Sequence, residues 1–139
     1  MKRLDAYEQQ SPNWTRVEML LAAFEGVIQR LQAAQELIAA DQNWKAQPLL
    51  LRAQRIVLEL YSGLDLRQGE VPKNMSKLYL FVLNCIGMGD SLNVPAAIDV
   101  LALIRDGLNG IRVQANELEH RGQVPHAPYQ SHVLQDVAG

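Results

Sequence analysis

Threonine is nearly missing from this 139-residue chain, aromatic residues make up 6% of it, and the only cysteine is Cys85. The shortage of threonine and aromatics removes residues that enrich strands, so an all-β fold is disfavoured. A lone cysteine excludes an intrachain disulfide and a cysteine-based zinc site, and it fits a reducing compartment, so a cytoplasmic location is expected. Positive charge is not in excess either. Thirteen Lys and Arg stand against fifteen Asp and Glu, a formal charge of −2, and no broad basic field exists to gather phosphates. Nucleic acid is therefore not an expected partner. No run of roughly twenty apolar residues occurs, so no membrane insertion is expected. Residues 1–11 turn polar after Lys2 and Arg3, unlike the apolar core of a secretion signal.

What the chain does contain is 21 Leu, 15 Ala and 48% hydrophobic residues overall. These are unbranched helix formers in a chain long enough for one core. Prolines and glycines divide it into four helical candidates. The first covers 15–40. At about 100° per residue, Leu20, Phe24, Val27, Ile28, Leu31 and Ile38 share one face, and Glu18, Glu25, Gln29, Gln32 and Glu36 the other. Thr15 and Glu18 have capping-box spacing. The second candidate covers 48–64, with Pro48 at its start. Its apolar arc holds Leu49, Ala53, Ile56, Leu60 and Leu64, widened by Leu50, Val57 and Tyr61. Leu51 and Leu58, seven residues apart, form a separate stripe near the polar side with Arg55 and Ser62. Either another helix of the domain covers them or they line a groove for a partner.

The third candidate, 72–88, is apolar nearly all round through Leu78, Tyr79, Leu80, Phe81, Val82, Leu83, Cys85 and Ile86. Such a helix belongs at the centre of a bundle or beneath a bound partner. The fourth, 95–120, carries a predicted buried stripe of Val100, Ile104, Leu108, Ile111 and Leu118, with Asp99, Asp106, Asn109 and Arg112 facing water. Gly107 beside that stripe suits the close approach of another helix, at a cost of roughly 1 kcal/mol relative to Ala. Residues 123–139 hold Pro125 and Pro128 and little periodicity, which reads as a flexible polar tail beyond a helical domain of 1–122. The expected fold is all-α, an antiparallel four-helix bundle with a short N-terminal extra segment or lid.

Reactive constellations are weak. His120, His126 and His132 are six apart, a spacing that neither helix nor strand turns into one face. The stretch Gly87-Met88-Gly89-Asp90 lacks the strand before it and the Gly-Lys-Ser/Thr after it that a phosphate loop needs, so it reads as a helix stop. Cys85 sits in an apolar run with no basic neighbour, as an inert core thiol would. Glu18 and Glu25 share a helix line on the polar face. No enzyme, cofactor or metal is expected, and weight moves to a binding protein that works through apolar surface.

The order of residues adds a resemblance. The stretch from Leu50 through Leu51, Arg52, Ala53, Gln54, Arg55, Ile56, Val57, Leu58 and Glu59 to Leu60 resembles the L-x-x-A-x-x-I-I-x-E-L helix of the flagellin-specific export chaperone family, FliS. Met75 and Tyr79 match that family's M-x-x-x-Y helix. Ala6-Tyr7 is similar to its N-terminal Ala-Tyr, and Glu18, Leu21 and Gly26 align with its first long helix. Ile104-Arg105-Asp106 resembles its late F-R-D-A-W segment. The likeness spans residues 4–121. Thr15-Arg16 replaces the usual Ser-Pro, Phe24 a frequent Tyr, Leu108 a frequent Trp, and Asn84-Cys85 positions that are commonly basic.

The resemblance implies a cytoplasmic chaperone for bacterial flagellum biogenesis. It would bind the disordered C-terminal segment of flagellin, prevent premature polymerisation and assist delivery to the flagellar type III secretion apparatus, without a cofactor. A client of this kind folds into amphipathic helices as it enters apolar grooves. The candidate client-binding residues are Tyr7 as lid or anchor, Leu50, Leu51, Val57, Leu58 and Tyr61 on the second helix, and Tyr79 and Leu83 on the third. Export-apparatus components are further candidate partners, and a homodimer stays open. The alternative is a dimeric helical scaffold or adaptor of the export system with a different client.

Overall fold

The computed structural model describes residues 15–122. Among the described residues five helices follow one another: α1 (Arg16–Ala39), α2 (Asn43–Ser62), α3 (Glu70–Met88), α4 (Asn93–Gly110) and α5 (Arg112–His120), with a short 3-10 turn (Leu66–Gln68) between α2 and α3. α1 packs on α2 and α4, and α3 packs on the same two helices from the opposite corner; α1 and α3 make no backbone approach. Short connections make neighbours antiparallel. Two ties show it directly. Arg105 on α4 meets Glu25 on α1 at 3.0 Å, and Leu50 and Gln54 on α2 lie by Gly89 and Gly87 on α3. The molecule is an all-α antiparallel bundle, as its periodicity predicts.

Each end of the long helices has a local cause. Thr15 caps α1 by accepting from the Glu18 N–H, and its hydroxyl also donates to the Glu18 carboxylate at 3.1 Å. α5 completes that end. Its Asn116 bonds the Thr15 hydroxyl, and the Glu119 carboxylate accepts from the Arg16 N–H at 2.9 Å. A carboxylate at a helix N-terminus satisfies a free donor and complements the helix dipole. At the far end of α3, Gly89 takes the left-handed conformation (φ +63°), and its N–H donates to the Cys85 carbonyl at 3.2 Å. Asp90 then accepts from the N–H groups of Leu92 and Asn93 and opens α4. The Gly87–Asp90 stretch is thus a helix stop and restart.

Several expectations are corrected. α2 starts at Asn43, so Pro48 lies inside the helix rather than at its start. Its missing N–H leaves the Trp44 carbonyl without a helical donor, and both residues are exposed where water can serve instead. The fourth candidate is two helices. The chain breaks at Ile111 after Asn109-Gly110, a pair with poor helix propensity, and α5 turns to reach the start of α1. The break moves the buried stripe: Val94, Ala97 and Leu101 are buried, Val100, Ile104 and Leu108 are partly covered, and Ile111 and Leu118 are exposed. Gly107 faces open space and permits no close approach. α3 does not occupy the centre either. Tyr79, Val82, Cys85 and Ile86 are buried, whereas Leu78, Leu80, Phe81 and Met88 are exposed.

The core holds Phe24, Leu31, Ile56, Leu60, Ile86 and Leu101 among its fully buried large side chains. The Phe24 and Tyr79 rings lie 6.2 Å apart across the bundle, joining the two corner helices through side chains. Among the described residues no helix is long and apolar enough to cross a membrane. Tyr7, the lid segment and the tail lie outside the described residues.

Candidate functional site

Among the described residues no helix covers Leu51 and Leu58, which are 60% and 53% exposed. Helical spacing locates them. Gln54 points at α3, with its Nε2 3.4 Å from where a Cβ on Gly87 would stand. Leu51 comes three residues before Gln54 and Leu58 four after, so both border the seam between α2 and α3. Across the seam, Leu80 and Leu83 come seven and four residues before Gly87 and lie on the face of α3 that meets α2. Leu80 is half exposed and Leu83 partly buried. With Gln54 beside Gly87 in an antiparallel pair, Leu58 lies level with Leu83 and close to Leu80, and Leu51 lies about two turns further along the same seam, so the four leucines mark an apolar strip, here called the α2/α3 groove.

The other sequence candidates fall into two groups. Tyr61, partly buried, sits seven residues after Gln54 at one end of the same groove. Leu50, Val57 and Tyr79 are buried in the core of this conformation, so they build the floor rather than the surface. Apolar periodicity could not separate these groups, because an apolar face of α2 wider than its neighbours can cover looks the same in sequence as a buried one. Leu80, Leu78, Phe81 and Met88 were not among the sequence candidates. Leu78 and Phe81 face away from α2 and give α3 a second exposed apolar edge.

Groups able to do chemistry are otherwise engaged. Burial pushes the Cys85 thiol up, away from the reactive thiolate. Glu25 is held by Arg105. Hydrogen bonds from the Arg67 side chain, then from its N–H and from Gln68, lower the Asp65 carboxyl to about 2, which fits a cap on the 3-10 turn. Among the described residues no group of three or more His, Cys, Asp or Glu could hold a metal ion; His120 is exposed, and His126 and His132 lie outside the described residues. What remains is exposed apolar surface along the α2/α3 seam, the kind of surface on which another chain's apolar side chains can be buried.

Fold and surface together define a helical bundle with an uncovered strip of leucines along one helix seam. The model of the family described as Flagellar protein FliS matches residues 2–113. The chain belongs to that family, a family of flagellar secretion chaperones. No curated protein and no solved structure matches it.

Proposed function

We propose that this chain is a cytoplasmic chaperone that holds the C-terminal segment of flagellin along the α2/α3 groove, keeps it from polymerising and presents it to the flagellar export apparatus. The observation that carries the proposal is the exposed Leu51 and Leu58 stripe beside Leu80 and Leu83 in a chain of the FliS family. A disordered segment gains most where it can fold as it binds. It lays one apolar stripe into the groove and spends a few kcal/mol of the interaction on its own ordering. The buried Leu50, Val57 and Tyr79 support the groove from below.

Calorimetric titration with the C-terminal peptide of the cognate flagellin tests this. Binding at micromolar concentration or tighter is expected. Leu51→Asp with Leu58→Asp should weaken it at least about a hundredfold, because two buried leucine contacts of roughly 2 kcal/mol each are replaced by carboxylates in an apolar groove. Helicity by circular dichroism should not change, since both side chains are exposed in the free protein. Absence of binding at micromolar peptide would sink the proposal. If the double variant instead splits a dimer and leaves peptide affinity intact, the scaffold alternative replaces it.

A further inference from the structure

The charged residues of the bundle are segregated, and the segregation coincides with the groove. From Asn43 to Met88, Lys45, Arg52, Arg55, Arg67, Lys73 and Lys77 stand against Glu59, Asp65 and Glu70. On α1, α4 and α5 the balance is opposite: Glu18, Glu25, Glu36, Asp99, Asp106, Glu117 and Glu119 outnumber Arg16, Arg30, Arg105 and Arg112. Within the cationic half, two side chains border the groove and a third stands beyond one end of it. Arg55 lies four residues after Leu51 and three before Leu58, on the outer edge of their stripe. Lys77 comes three residues before Leu80 and edges the groove on α3, and Lys73, in the first turn of α3, stands in line with Leu80 beyond the end of α2. All three are exposed. Lys73 reaches only a loose 3.9 Å contact with Glu70, and among the described residues no ion pair forms at Arg55 or Lys77.

We propose that the α2/α3 groove selects a helical partner segment whose apolar stripe is flanked on both sides by carboxylates. This rests on the docking of a client in that groove and specifies the client's chemistry. The groove dictates the pattern: apolar residues recurring over two turns to meet Leu51, Leu58, Leu80 and Leu83, with Asp or Glu beside them on the edges that meet Arg55 and Lys77 and at the end that meets Lys73. A cationic rim also repels basic amphipathic helices, so it discriminates as well as attracts. Each exposed pair is worth a factor of roughly 1.5 to 5 in affinity, so three give about tenfold, most of it lost at high salt.

Three synthetic peptides sharing one apolar stripe, flanked by Glu, Gln or Lys, are titrated into the full-length protein alongside the flagellin C-terminal peptide. The Glu peptide should bind about tenfold tighter than the Gln peptide and the Lys peptide weakest, with the order collapsing in high salt. Arg55→Glu with Lys77→Glu, both on exposed positions, should reverse the order. Equal affinities for the three peptides, or no binding of any while the flagellin peptide binds, overturn the charge selection and leave the docking proposal standing. No binding of the flagellin peptide or of the synthetic three overturns both. Sedimentation supplies a separate outcome. If the wild type self-associates and the charge-reversed variant is monomeric, the acidic side of a second copy occupies the groove and the inference fails.

Discussion

Two stripes on α2 are built from the same kind of residue and meet opposite fates. Ile56 and Leu60 are buried against the bundle, while Leu58, which lies between them in sequence, and Leu51, five residues before Ile56, stand more than half exposed. The difference is one of angle. Ile56 and Leu60 point toward the interior that α1 closes, and Leu51 and Leu58 rise on the outer side of the seam with α3, beyond the reach of any neighbouring helix. A leucine contributes to stability only where a neighbour removes it from water, so the inner stripe holds the fold together and the outer stripe, which adds little to it, is the surface that the proposed client would cover.

The largest effect that would break this comparison comes from truncating each region in turn. Phe24→Ala, at a fully buried position facing Tyr79, should cost about 3–5 kcal/mol in urea unfolding, whereas Leu58→Ala should stay within about 0.5 kcal/mol. A cost of 2 kcal/mol at Leu58 would mean that the outer stripe is structural. Thr15→Ala comes next. It removes the α1 cap and the bond to Asn116, and a loss of about 0.5–2 kcal/mol is expected, again without effect on peptide affinity at the groove.

Asp90→Ala probes the α3–α4 turn at the far end of the groove and should lower Tm by a few degrees. Its carboxyl is held below the ordinary range by hydrogen bonds from the Asn93 N–H, then the Asn93 side chain, with a further one from Leu92. A carboxyl lowered in the folded state stabilises above its unfolded value, near 3.9, and the benefit is lost as pH falls through the folded value. The Tm gap between wild type and variant should therefore be constant from about pH 7 to 5 and narrow only below about pH 4. The smallest effect is expected from Arg105→Ala. Its contacts with Glu25 and Asp106 are partly exposed, and the Tm change should stay near 1 °C and vanish in high salt.

Much of the scaffold was legible from periodicity. The one-sided pattern of α1 places Phe24, Val27, Ile28 and Leu31 in the core, and the Thr15–Glu18 spacing marks its start. Legibility failed where distant contacts override local preference. Asn109-Gly110 marks a place where α4 can stop, but the turn of α5 rests on Asn116 and Glu119 meeting the α1 N-terminus about a hundred residues away in sequence, and no local pattern contains that partner. The fate of α3 failed to resolve for a related reason: eight apolar residues in and around one run do not say which of them its two neighbours reach.

The sequence alone determined that this chain is helical, where its first three long helices fall to within a few residues of proline or starting turn, and which family it resembles, because helix propensity, capping and residue order are local or linear properties. Only the tertiary structure decided that Leu51 and Leu58 are uncovered and that Leu50, Val57 and Tyr79 are not. It also decided that Arg55 and Lys77 stand on opposite edges of that leucine groove, with Lys73 beyond one end. Burial and juxtaposition depend on how far a neighbouring helix extends across a face, and that distance is set by the packing of the whole bundle.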